Sequence, residues 1–131
     1  MKQKLIIILV LLSTSLIGQT TYTGSAFTVA ADNVTTSTLN IPDSGNITDV
    51  NITVSGSEAC GLEYLDMTLQ SPYGTIVELT NINTMSGSAF SQTTFDDEAS
   101  TTIENGSAPY VGSYQPVGPL ASIDSEEVNG D

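Results

Sequence analysis

Beyond Lys4 the chain contains no lysine, arginine or histidine, yet it keeps all fifteen of its aspartates and glutamates. A polypeptide without cationic side chains cannot displace counterions from phosphates, so nucleic-acid binding is excluded for this part of the sequence. Attraction to anionic lipid is excluded for the same reason. Ser- or Cys-based nucleophilic catalysis needs a base beside the nucleophile, and neither imidazole nor amine is present. Imidazole-ligated zinc is ruled out with the histidines, and the single cysteine, Cys60, can build neither a thiolate cage nor an internal disulfide. The lone thiol is expected to be buried on a strand edge, with an intermolecular bridge as the alternative. Tryptophan is also absent, which leaves only Tyr and Phe to stack on a sugar. Glycoside hydrolysis by paired carboxylates therefore ranks last among the possible activities. The expectation is a non-catalytic chain.

Long apolar runs are scarce too. The one present, LIIILVLL at residues 5–12, follows Lys2 and Lys4 and gives way to the more polar residues 13–19. This is the pattern of an export signal covering residues 1–19. It is too short for a stable membrane anchor, which needs about 20 apolar residues. A secreted or cell-surface location is expected, with no stable membrane anchor after cleavage.

What remains is rich in Thr, Ser, Asn, Val and Ile, the mixture of short strands joined by turns. Its length, about 110 residues, suits one domain. No apolar stripe of helical period runs far, and residues 99–104 are the only short helix candidate. Residues 47–54 alternate, with Val50, Ile52 and Val54 on one face and Asp49, Asn51 and Thr53 on the other. Residues 65–69 repeat the pattern with Leu65, Met67 and Leu69. A strand at 75–79 follows the Ser71-Pro72-Tyr73-Gly74 turn. An earlier strand at 34–41 stops at Pro42-Asp43-Ser44-Gly45. Residues 20–35 are a loose arm or a first edge strand. Turns about 8–12 residues apart predict an all-β sandwich or jelly roll.

Two stretches hold the candidate site chemistry. Asp96, Asp97 and Glu98 place three carboxylates side by side with no cation of the exported chain to relieve them. A calcium ion held by carboxylates and turn carbonyls would do so, and a solvated charged loop is the alternative. Tyr110, Tyr114, Pro116 and Pro119 form either a partner-binding patch or a cover over one end of the fold. Asn-x-Ser/Thr triplets at Asn33, Asn46, Asn51 and Asn105 match glycan acceptors, but such matches arise by chance in a chain of this composition.

Four blocks appear in order: IPDSGNITDVNITVSG from Ile41, LDMTLQSPYGT from Leu65, SGSAFSQTTFDDEAS from Ser86 and APYVGSYQPVGPLASIDSEEVNG from Ala108. Together they resemble the P/Homo B domain of proprotein convertases, over residues 36–131. That family's domain stands behind the subtilisin-like catalytic domain of kexin- and furin-like and bacterial secreted proteases. The resemblance implies a jelly-roll β-sandwich without catalytic residues, one that packs on, stabilises and regulates a serine endopeptidase. It also implies calcium at Asp96 and Asp97. A protease domain or other extracellular modules are the implied partners, and a stand-alone binding module is the alternative. Motif positions carried over are Ser71, Pro72 and Gly74 in a turn and Phe95 before the acidic pair. Pro109, Gly112, Tyr114, Pro116, Gly118, Pro119 and Leu120 match a long shaped loop. Glu63-Tyr64 replace the family's Gly-Asp pair, and Gln115 stands where an Arg is common. The family continues with a Trp-containing strand, so the sequence is expected to be incomplete at its C-terminus.

Overall fold

The computed structural model describes residues 18–29, 32–57 and 60–130; the expected export signal lies outside them, apart from its last two residues. Among the described residues the regular structure is five strands and three single turns of 3-10 helix, with no α-helix. No helix here is long and apolar enough to cross a membrane.

Strands β1 (Ile52–Ser57), β4 (Ala89–Phe95) and β5 (Gly112–Tyr114) form one sheet in the order β1-β4-β5. Strands β2 (Met67–Gln70) and β3 (Ile76–Thr80) form a second. The β1–β4 and β2–β3 pairs are antiparallel, whereas β5 runs parallel to β4 with Phe95 opposite Tyr114. The alternation read from the sequence sets the faces. Ile52 and Val54 turn inward while Thr53 turns outward and shares a 2.8 Å hydroxyl contact with Thr94 across the pair.

The β2–β3 hairpin forms around the expected turn. Gly74 N–H donates to the Ser71 carbonyl (2.9 Å), and Gly74 takes φ +91°, a conformation that glycine adopts without steric cost. The ladder slips between Met67 and Thr68. Thr80, fully buried opposite, repairs it: its hydroxyl accepts Met67 N–H (3.2 Å) and donates to the Leu65 carbonyl (3.3 Å).

The core joins both sheets to their connections. Leu62, Val77, Leu79, Met85, Phe95, Ile103, Tyr110, Leu120 and Ile123 form one buried cluster. Four of these sit on the three 3-10 turns, Leu62–Tyr64, Ile103–Asn105 and Leu120–Ile123. Short polar loops thus reach the interior by one apolar residue each, or by two in the last case.

Several expectations are corrected. Residues 34–41 form no strand; only Ile41 makes an isolated bridge, to Gly130. The reason is spacing: Val34 and Leu39 lie five residues apart with polar residues between, so there is no apolar face to bury, and Val34 is 96% exposed. The strand expected at 47–54 begins only at Ile52, because Asn46 and Ile47 pair instead with the segment near Glu126 and Glu127. The helix candidate at 99–104 is reduced to the 3-10 turn Ile103–Asn105, closed by Gly106 N–H on the Ile103 carbonyl. Cys60 is exposed in a turn, not buried on a strand edge. Leu62, two residues on, takes the core position, its N–H held by the Gly87 carbonyl at 2.7 Å. Residues 20–29 and 32–35 contribute no strand.

Candidate functional site: an acidic loop clamped to a proline-rich loop

Strand β4 delivers Phe95 into the core at 0% exposure, and the chain must then turn outward into Asp96-Asp97-Glu98. Asp96 N–H donates to the Tyr114 carbonyl at 3.0 Å, and the Asp96 carboxylate accepts Glu98 N–H at 2.8 Å. The second contact is a local Asx-type turn, in which a side chain satisfies backbone two residues on. Ala99 N–H closes the turn on the Asp96 carbonyl (3.1 Å). Glu98 is exposed, and its carboxyl is held above the usual range, first by a side-chain hydrogen bond with Asp96 and in smaller part by the negative charges of Asp49 and Asp96.

Asp97 points the other way and joins the two motif blocks. Its Oδ1 accepts Leu120 N–H (3.0 Å) and its Oδ2 accepts Ala121 N–H (2.8 Å). These amides open the 3-10 turn Leu120–Ile123, whose first donors have no partner within the turn. A carboxylate placed there satisfies them as an N-cap does, although it comes from 23 residues away in the chain. Gln115 completes the junction by donating from Nε2 to the Asp97 carbonyl at 3.2 Å. Asp97, Gln115, Pro116, Val117 and Pro119 line a shallow recess of about 330 Å³ at this junction.

The expected aromatic–proline loop is built from the inside. Tyr110 is 1% exposed and held at φ +50°. Its hydroxyl accepts Ser86 N–H (2.8 Å), and its carbonyl accepts the buried Thr93 hydroxyl (2.7 Å). Tyr110 and Tyr114 meet edge to face, centroids 6.0 Å apart and planes at 69°. Gly106 lies against both rings; a Cβ there would come within 2.8 Å of each. Pro109 is exposed, follows a cis peptide bond, and accepts Ser91 N–H on its carbonyl (2.8 Å). Past β5 the chain crosses to the second sheet, where Val117 and Gly118 donate to the Leu79 and Glu78 carbonyls (3.2 and 2.7 Å). Gly118 passes so close that a Cβ would lie 3.3 Å from the Glu78 nitrogen.

Of the sequence-selected residues, the structure therefore brings Phe95, Asp96, Asp97, Tyr114, Pro116, Pro119 and Leu120 into one junction, while Gly112 lies opposite Thr93 on β4 and Gly118 against Glu78 on β3. Ser71, Pro72 and Gly74 stand apart at the β2–β3 turn. There Glu126 was missed by sequence reasoning: its Oε1 accepts the Thr75 hydroxyl at 2.5 Å. The Ser71 hydroxyl first, then that of Thr75, hold the Glu126 carboxyl below the usual range, with burial opposing them. Its Oε2 is shut off from solvent and has no partner at good hydrogen-bond geometry among the described residues. Nothing in local patterning could have found a contact spanning 51 residues.

The donors observed at Asp97 are amides, which a cation would have to compete with for the same oxygens. Among the described residues no three or more acidic, His or Cys side chains stand together where they could hold a metal ion. No protein-family model, no curated protein and no solved structure matches the chain.

Proposed function

We propose that the chain is a non-catalytic, secreted accessory domain of the P/Homo B type, a jelly-roll sandwich that packs on a subtilisin-like serine endopeptidase and stabilises it. The observation that carries this reading is the Asp97 clamp. The two blocks with the most specific wording, TTFDDEA and APYVGSYQPVGPL, are joined as one unit by the Asp97 carboxylate on the Leu120 and Ala121 amides. That the two blocks meet in space supports taking them as one motif. The absence of histidine, and of lysine beyond Lys4, to activate a Ser or Cys nucleophile supports the non-catalytic part of the reading. The test is mixing with catalytic domains of secreted subtilisin-like proteases. A stable complex with a protease Tm raised by about 5 °C is expected. The purified chain alone should not cleave casein; turnover by it would overturn the reading.

The second reading, a stand-alone extracellular binding module, is favoured by one feature: the apolar residues of β1 and β2 are only half covered. Binding to a cell-surface or extracellular ligand with no effect on any protease would select it.

A further inference from the structure

The two halves of the fold are closed to different degrees. On β3 and the end of β4 the inward residues Val77, Leu79, Thr93 and Phe95 are fully buried. On β1 and β2 the equivalent inward residues Ile52, Val54, Met67 and Leu69 are only half-buried, as are the adjoining Val50 and Leu65. These six side chains line part of an open trough of roughly 2520 Å³. Among the described residues both strands are outermost in their sheets, because β1 is followed only by β4 and β2 only by β3. Residues 18–29 and 32–39 border the trough but supply no strand to either edge. An outermost strand presents a row of backbone donors and acceptors that an added strand can pair with.

The charge at this trough has one sign. Asp43, Asp49 and Asp66 line it, all exposed. No residue after Lys4 can neutralise them. A second copy of the chain would bring the same sign to the same place, so self-pairing is electrostatically opposed. An extended segment with apolar residues on one face and Lys or Arg on the other satisfies all three features: apolar floor, open edges and acidic rim.

We infer that the trough between β1 and β2 takes up an extended basic strand from a partner protein. This deepens the proposed function by naming the surface and the chemistry of the partner, and it rests on that reading only in requiring a protein partner.

The experiment titrates the full chain with a labelled peptide of about nine residues alternating Val or Ile with Lys. Saturable binding is expected, weakened about tenfold when salt rises from about 0.05 to about 0.5 M. Amide exchange should slow in β1 and β2 and stay unchanged in β5, whose edge lies on the far side of β4. D49N and D66N, both at exposed positions, should each weaken binding about threefold with the Tm unchanged. Equal binding of the same peptide with Glu for Lys would overturn the inference. So would absence of binding, or edge protection that grows with protein concentration alone, which would assign the trough to a second copy. Failure here alongside a stabilised protease domain removes only the trough; success here without any protease effect removes only the protease reading.

Discussion

The Thr93 hydroxyl donates to the Tyr110 carbonyl at 2.7 Å, with both side chains buried, and so ties the middle of a strand to a loop 17 residues on. Tyr110 in turn holds Ser86 N–H with its own hydroxyl. One aromatic residue therefore fixes the entry to β4 and the approach to β5. Thr93→Val keeps the shape and deletes the donor, leaving a buried carbonyl unpaired. A loss of about 1–3 kcal/mol in denaturant unfolding is expected. Tyr110→Phe should cost less, because Ser86 is exposed and water can take the place of the lost hydroxyl.

Asp97 tests the clamp. Asp97→Ala removes both acceptors from the Leu120–Ile123 turn and is expected to cost about 1–2 kcal/mol. Asp97→Asn keeps one carbonyl oxygen and should lose less. Equal losses would mean that charge rather than capping matters, a distinction that urea melts of the two variants resolve.

Removal of divalent ions bears on the same residue. The Asp97 oxygens are already satisfied by amides, so excess chelator is expected to leave the Tm in place. A fall of several degrees on chelation would instead assign a bound cation to the stability of the fold.

Gly118 runs against the β3 backbone, and an added Cβ would press on Glu78. Gly118→Ala should cost about 1 kcal/mol, because the β3 backbone at Glu78 must give way slightly to admit the methyl group. Weaker exchange protection of the Gly118 amide, now bonded to the Glu78 carbonyl, would locate the damage.

Glu126 gives the pH dependence its sign. A carboxyl held below its unfolded value of 4.5 by the Ser71 and Thr75 hydroxyls stabilises the fold above that value. The contribution is lost as pH falls through the lower folded value. Glu98, held above 4.5, acts in the opposite sense: its contribution is present below 4.5 and lost as pH rises through the folded value. Glu126→Gln should therefore lower the Tm near pH 6, and the gap to the parent chain should close below pH 4.5. A gap that persists in acid would mean the side chain acts by packing alone.

The parts of the fold legible in the sequence were those governed by nearest neighbours. The Ser71–Gly74 turn and the alternation of Met67 and Leu69 need only local chemistry, and β3 was placed to within a residue. Strand β4 was not foreseen, because AFSQTTF carries its apolar residues at both ends and polar residues between. Its buried Thr93 looks outward-facing until Tyr110 is known to meet it. The acidic pair was visible as a cluster, but its use was not. Which amides Asp97 caps depends on where a segment 23 residues later comes to lie. Cys60 misled because a thiol's usual preference for the interior yielded to Leu62, which fills that place.

The passage from β5 to Gly118 touches β4 on one side and β3 on the other. A short ribbon laced through both leaves denies either one the freedom to peel away first. Pulling, heating or proteolytic nicking should accordingly release the two together, as a single rupture rather than as successive openings.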